Sequence, residues 1–273
     1  MAKKALNEMS FLDHLEELRW LLVRSSAAIV IMGIVSYFFT DFIFSDLIFG
    51  PTDPSFITYR FFCEASHYLG FADSICITEL NFIIQNTLME GQVNIFVWVC
   101  ITTGFILAFP YILWELWKFI SPALYEKEKK NAKLFIFVAS ILFFLGVLFG
   151  YYVIVPMSVN FLATFSISSV VKNQFSIDSY VSMVKTSVIA SGLFFELPVI
   201  IYFLTKLGLV TPSFLRKYRK YAIVIVLIIA AIVTPPDVVS QITVSIPMLL
   251  IYEGSIWISV FVEKNKKKDE QAS

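Results

Sequence analysis

Leu134-Phe-Ile-Phe-Val-Ala-Ser-Ile-Leu-Phe-Phe-Leu-Gly-Val-Leu-Phe-Gly-Tyr-Tyr-Val-Ile-Val155 runs for 22 residues without a charged side chain. A bilayer core about 30 Å thick takes roughly 20 apolar residues of helix to cross. In lipid only helices and closed barrels satisfy their own backbone groups. Barrel strands alternate between lipid-facing and lumen-facing residues, and this run does not alternate. It reads as a membrane-spanning helix. Lys127, Lys129, Lys130 and Lys133 stand just before it, so its first residue lies on the side where basic groups collect.

Similar runs lie on both sides of it, at 21–44, 93–116, 181–207, 221–234 and 242–262. The expectation is an all-α integral membrane protein with six transmembrane helices. Composition agrees: of 273 residues, 58% are hydrophobic and 15% charged, against about half and a quarter in soluble chains. Little length is left for a separate enzyme domain. The 21 basic and 21 acidic residues cancel, whereas a nucleic-acid binder shows a basic excess. No nucleic-acid partner is expected. Asp13, Glu16 and Glu17 precede the first run, where a cleaved signal would be basic, so the run is read as a retained span.

Lys and Arg placement sets the topology. Eighteen of the 21 basic residues fall on one side: Lys3 to Arg24, Lys118 to Lys133, Lys206 to Lys220 and Lys264 to Lys268. Only Arg60, Lys172 and Lys185 fall on the other. Both termini are therefore expected in the cytoplasm. The chain reads as one six-span domain over 1–273, with a cytoplasmic N-terminal segment 1–20, an outer cap 45–92 and a cytoplasmic tail 263–273. Gly50, Pro51 and Pro54 open the cap as irregular structure. Leu80, Ile83, Ile84 and Leu88 recur at helical spacing, predicting a helix over 79–91 with Gly91 as its C-cap. Cys63 and Cys76 both fall in the cap, while Cys100 falls in the second span. A Cys63–Cys76 bridge and two unpaired thiols both stay open, because spacing does not fix pairing. The fifth run has 14 residues, or about 21 Å of helix, short of the core thickness. Pro235 and Pro236 stop it. Local thinning of the membrane or snorkelling of the flanks would accommodate it, the alternative being a steeply buried helix shielded by its neighbours.

Catalytic chemistry is poorly supplied. His14 and His67 are the only histidines and neither falls in a span, so no intramembrane Ser–His pair can be built. No metal-ligand spacing or nucleotide loop appears. The chain is read as no enzyme, with no metal and no cofactor.

Carboxylates carry more information. Glu196 falls near the middle of the fourth span, in Gly192-Leu-Phe-Phe-Glu196-Leu-Pro198. A charged acid at that depth costs at least about 2.5–3.5 kcal/mol on insertion scales and marks a substrate or proton site by default. The alternative is a neutral acid hydrogen-bonded to a neighbouring helix. Pro198 can kink the helix. Glu253 in the sixth span stands nearer the cytoplasmic end. At the N-terminus, Ser10-x-x-Asp13 predicts a helix cap. Phe11, Leu15, Leu18 and Leu22 form an apolar stripe suited to lie along the membrane surface, with Asp13 and Glu17 on another face. The 119–130 loop mixes two acids with its lysines, which composition alone reads as self-neutralised and solvated.

Five strings, taken together, resemble one family. They are His14-Leu-Glu-Glu17-Leu-Arg19, Phe119-Ile-Ser-Pro122-Ala-Leu124-Tyr125-Glu-Lys-Glu128, Phe195-Glu196-Leu-Pro198-Val, Thr234-Pro-Pro-Asp237-Val-Val-Ser240-Gln241 and Ile246-Pro247-Met248. From about residue 9 to 262 the chain resembles the TatC family of the twin-arginine protein translocase. The resemblance implies a concave bundle with short fifth and sixth helices, in the bacterial cytoplasmic membrane. It implies binding of signal peptides with consecutive arginines. With single-span TatA/TatB-type partners and by self-association, such proteins export folded cargo on the proton-motive force. By the same resemblance Glu17 and Glu128 would hold the arginines, beside a surface of Arg19, Phe119, Pro122, Leu124 and Tyr125. Glu196 and Pro198 would serve transport, and Asp237 and Gln241 the outer turn. Leu21 stands where the family carries a further arginine, and the two cap cysteines lie outside its pattern. A proton-coupled solute or ion carrier using Glu196 is the alternative; no internal repeat of the kind carriers show supports it.

Overall fold

The computed structural model describes residues 11–68, 76, 80, 82–121, 132–168, 170–234 and 238–272. Helices dominate them: α1 (Phe11–Tyr37), α2 (Ile57–Tyr68), α3 (Gly91–Ile120), α4 (Ala132–Phe149), α5 (Val155–Thr164), α6 (Ile177–Phe194), α7 (Leu197–Lys206), α8 (Pro212–Lys217), α9 (Arg219–Val233) and α10 (Val238–Ala272). Two three-residue strands, β1 (Ile83–Gln85) and β2 (Gln174–Ser176), pair in parallel with Ile84 opposite Phe175. Five helical stretches among the described residues are long and apolar enough to cross a membrane: His14–Tyr37, Gly91–Ile120, Lys133–Thr164, Ile177–Lys206 and Ser240–Lys266. The fifth expected span, α9, has 15 residues, about 22 Å, and is not one of them.

Three expectations change. The N-terminal stripe is not a separate surface helix, because α1 continues unbroken from Phe11 to Tyr37. Nothing between the stripe and the span breaks helical geometry. The helix predicted over 79–91 is replaced by β1, and Gly91 opens α3 instead of closing a helix. The β-branched pair Ile83-Ile84 finds a strand partner, and Asn86 Nδ2 donates to the Leu88 carbonyl at 2.7 Å in a turn that redirects the chain. The sixth helix is not short: α10 runs 35 residues and carries the 263–273 tail on as helix to Ala272. The break that Pro198 leads one to expect is present: the fourth span is two helices, α6 and α7, divided at Phe195 and Glu196. Pro198 has no N–H and its ring opposes the carbonyl four residues earlier, Phe194, which is the last residue of α6.

The chain divides into two compact units. In the first (residues 1–43 and 92–141), α1 meets α3 over small residues. A Cβ on Gly104 would stand 2.6 Å from the Gly33 nitrogen, and one on Gly33 would stand 3.2 Å from the Cys100 carbonyl. The second (44–91 and 142–273) has an apolar core of Ile154, Phe194, Val226, Ala230, Val244 and Met248. Its α6 helix lies against Gly146 and Gly150, where only hydrogen leaves room for the Ser187–Gly192 backbone.

A proline again shapes the path in this unit. Pro156 cannot donate to the carbonyl of Tyr152, and a π-helical turn, Gly150–Ile154, precedes it. Thr58 Oγ1 of α2 donates to that freed Tyr152 carbonyl at 2.7 Å. Tyr59 lies beside it, 2% exposed. Its hydroxyl donates to the Pro51 carbonyl at 2.8 Å, with the Pro156 carbonyl at 3.2 Å as a second acceptor in reach. Burial pushes the Tyr59 phenol far above its ordinary range. Cys63 of α2 is bridged to Cys76, and His67, one turn on, places Nε2 3.8 Å from Cys76 Sγ.

Candidate functional site

In the first unit, helix α1 brings His14 onto Phe119 at the end of α3, with ring centroids 4.4 Å apart and planes 23° from parallel. The two rings are 105 residues apart in sequence, and each belongs to one of the two basic-side motifs. Glu17 and Arg19 lie on the next turn of α1 and are exposed. Among the described residues no side chain pairs with the Glu17 carboxylate. Pro122, Leu124, Tyr125 and Glu128 lie outside the described residues.

Just inside this contact is an acid that the sequence reading passed over. Glu115 of α3 is 3% exposed. Lys118 Nζ donates to its Oε1 at 2.8 Å and Arg24 Nη1, from α1, to its Oε2 at 3.4 Å. Tyr111 lies one turn earlier on the same face of α3. Tyr111, Glu115 and Lys118 fall at i, i+4 and i+7 on one face of α3, so the helix itself aligns them. Arg24 and Lys118 also lie over the rings of Trp20 and Trp114, at 5.9 Å and 5.6 Å. The signal for Glu115 was present in sequence: an acid four residues before Phe119, followed by a lysine at i+3, at the end of an apolar run.

In the second unit, Glu196 sits at the α6–α7 break. Its N–H donates to the Leu193 carbonyl at 3.1 Å, and its own carbonyl accepts from Val199 and Ile200 at 3.0 Å. The side chain is 6% exposed, and Oε1 has no hydrogen-bond partner among the described residues. A buried oxygen left so is costly, of order 1–3 kcal/mol.

Of the last motif, Asp237 lies outside the described residues, as do Pro235 and Pro236. Gln241 Nε2 donates to the Leu227 carbonyl of α9 at 3.1 Å, and Thr234 Oγ1 to the Ala230 carbonyl at 2.9 Å. Ser187 Oγ of α6 reaches the Val233 carbonyl at 3.3 Å. These polar groups close the end of the short helix. Glu253 is not an isolated acid: Arg219 Nη2 donates to its Oε2 at 2.6 Å, with both side chains half-exposed.

A cluster of Cys63, His67 and Cys76 has metal-ligand chemistry, but its two sulfurs are joined to each other. Thiolates are what a soft cation takes, so the bridged form offers only His67.

The model of the Sec-independent protein translocase protein (TatC) family matches residues 13–247. A relative from Blattabacterium sp. subsp. Periplaneta americana, named Sec-independent protein translocase protein TatC, is 44% identical over 269 residues, 97% of this chain and 100% of its own. Sec-independent protein translocase protein TatCy of Bacillus subtilis is 35% identical, over 100% of this chain and 97% of its own. A crystal structure of the twin-arginine translocase receptor TatC superposes with a TM-score of 0.70 at 32% identity, covering 92% of this chain and 99% of that one. With five membrane-capable helices and a family match over nearly its whole length, the chain belongs to the TatC family, multi-pass proteins of the bacterial cytoplasmic membrane that form part of the twin-arginine protein translocase.

Proposed function

We propose that this chain is the receptor subunit that binds signal peptides bearing consecutive arginines and, with small single-span partners of the TatA/TatB type, exports folded proteins on the proton-motive force. The observation that carries this reading is the stacking of His14 on Phe119. It joins the start of the first basic-side motif, which carries Glu17, to the start of the second, whose string carries Glu128, and this supports reading the two acids as one recognition pair. Two arginines call for two carboxylates. Guanidinium pairs bidentately with a carboxylate, each charge-assisted bond being worth about 1.5–3 kcal/mol, while lysine is a poorer geometric match.

The topology that accompanies this reading has six spans, with α9 crossing a locally thinned membrane and both termini in the cytoplasm. Glu196 then serves the transport step and not signal capture. The carrier alternative is not favoured in a chain of this family. The protein is a transport component, not an enzyme.

Titration of the purified chain with matched Arg-Arg and Lys-Lys signal peptides tests the reading. Glu17→Ala and Glu128→Ala are expected to weaken the Arg-Arg peptide at least tenfold and the Lys-Lys peptide much less. Equal losses for both peptides sink it. In an export-deficient strain, Glu196→Ala is expected to retain peptide binding and lose export of a folded reporter.

A further inference from the structure

Arg24 and Lys118 pose a problem for arginine recognition. Arg24 follows Glu17 by seven residues, so it stands two turns along α1, about 10 Å away and within about 20° of the same face. Lys118 immediately precedes Phe119, which touches His14. Both side chains are half-exposed. A cation tethered this close competes for an acceptor at an effective concentration in the millimolar range. Left free, each would neutralise the acids intended for the signal.

Glu115 gives both of them a different partner. Its two oxygens are divided between them, Oε1 to Lys118 and Oε2 to Arg24. Each oxygen thus already faces a cation of the chain itself, and Glu115 is read as their internal partner and not as a third recognition acid. At 3% exposure its charge is poorly screened by water, and it holds cations more strongly than an exposed carboxylate such as Glu17 can.

We propose that Glu115 is a positioning residue for arginine recognition: by sequestering Arg24 and Lys118 it keeps the receptor's own cations off the carboxylates that bind the signal. This rests on the function proposed above. A residue that only held α1 against α3 would leave a binding defect when neutralised, and removing the freed cations would not repair it. Sequestration makes the opposite demand: deleting the cations restores binding.

The test titrates the full-length purified chain with a synthetic Arg-Arg signal peptide and its Lys-Lys counterpart. Glu115→Gln is expected to weaken Arg-Arg binding about tenfold. The triple variant Glu115→Gln, Arg24→Gln, Lys118→Gln is expected to return to within about threefold of the parent. The Glu115→Gln loss shrinks as salt is raised, since the competing contacts are exposed. A triple variant as weak as Glu115→Gln alone overturns the inference. If Glu115→Gln does not fold, Glu115→Asp keeps the charge but withdraws it by one methylene. It is expected to lose about threefold and to recover with Arg24→Gln, and failure to recover again overturns the proposal. A parent chain that does not prefer Arg-Arg to Lys-Lys defeats the proposed function itself. A parent that discriminates, with a triple variant that does not recover, defeats only the role given to Glu115.

Discussion

Gly104 of α3 lies against Gly33 of α1 so closely that a Cβ on Gly104 would stand 2.6 Å from the Gly33 nitrogen. The atoms it meets are backbone, which cannot rotate aside. In lipid, helices gain from close approach more than from apolar burial, and this crossing supports α1 along the length that ends at His14 and Glu17.

Gly104→Ala should therefore destabilise the first unit by about 1–3 kcal/mol, the usual cost of overpacking. Gly33→Ala should cost less, because its Cβ would meet only the Cys100 carbonyl, at 3.2 Å. Thermal unfolding in detergent, read from the near-ultraviolet signal of Trp20, Trp98 and Trp114, gives the ranking. Equal midpoints for the two variants would contradict the crossing.

Glu196 should behave as a residue kept at a cost to stability. Its buried Oε1 lacks a partner among the described residues, so Glu196→Leu is expected to raise unfolding stability by about 1–3 kcal/mol. The same variant should cut export of a folded reporter at least tenfold. A drop in stability would mean that the carboxylate is bonded in the working protein and serves as interhelical glue.

The cap should be alkali-sensitive through Tyr59. Burial raises its phenol pKa in the folded chain, so the stability it contributes is complete below the unfolded value of about 10 and falls as pH rises above it. Tyr59→Phe removes this dependence. It also leaves the Pro51 carbonyl without its donor, at a cost of about 1–3 kcal/mol. Limited proteolysis of the 45–92 segment between pH 8 and 11 reads both effects.

Opening the Cys63–Cys76 bridge should loosen the same segment. It closes a loop with a sequence separation of 13, for which the chain-entropy model gives about 3 kcal/mol. Cys63→Ser or a reductant is expected to speed cleavage between α2 and β1. Cys100→Ser should leave cleavage unchanged, since Cys100 is outside the bridge.

Helix α9 should sit in thin membrane. Its 15 residues reach about 22 Å against a core of about 30 Å. Spin labels at Tyr221 and Ile232 are expected both to show interfacial depth in vesicles. A label at either end buried at ordinary core depth removes the idea.

The helices were legible because a bilayer admits so few solutions: long uncharged runs become spans, and prolines mark their breaks. Pro198 was read as a kink, and it divides the fourth span at Glu196. Length and proximity were harder to read. The 83–91 segment carries a helix-like spacing of apolar residues, yet its β-branched pair took a strand partner at Phe175, some ninety positions away. The 263–273 tail carried no mark of its own helicity, and the last helix runs on through it to Ala272. Glu115 was overlooked because an acid at the edge of a span looks merely solvated until its burial is known.

The sequence alone determined the membrane class, the family strings and the acids worth suspecting, because hydropathy, charge bias and short motifs are local properties of the chain. Only the tertiary structure added Glu115 to those acids and decided which of them are satisfied. Among the described residues Glu115 is paired with two cations, Glu253 with one, and Glu196 has one oxygen unpaired. Whether an acid is answered depends on cations and donors from distant segments such as Arg24 and Arg219, and burial and partnership exist only once those segments meet.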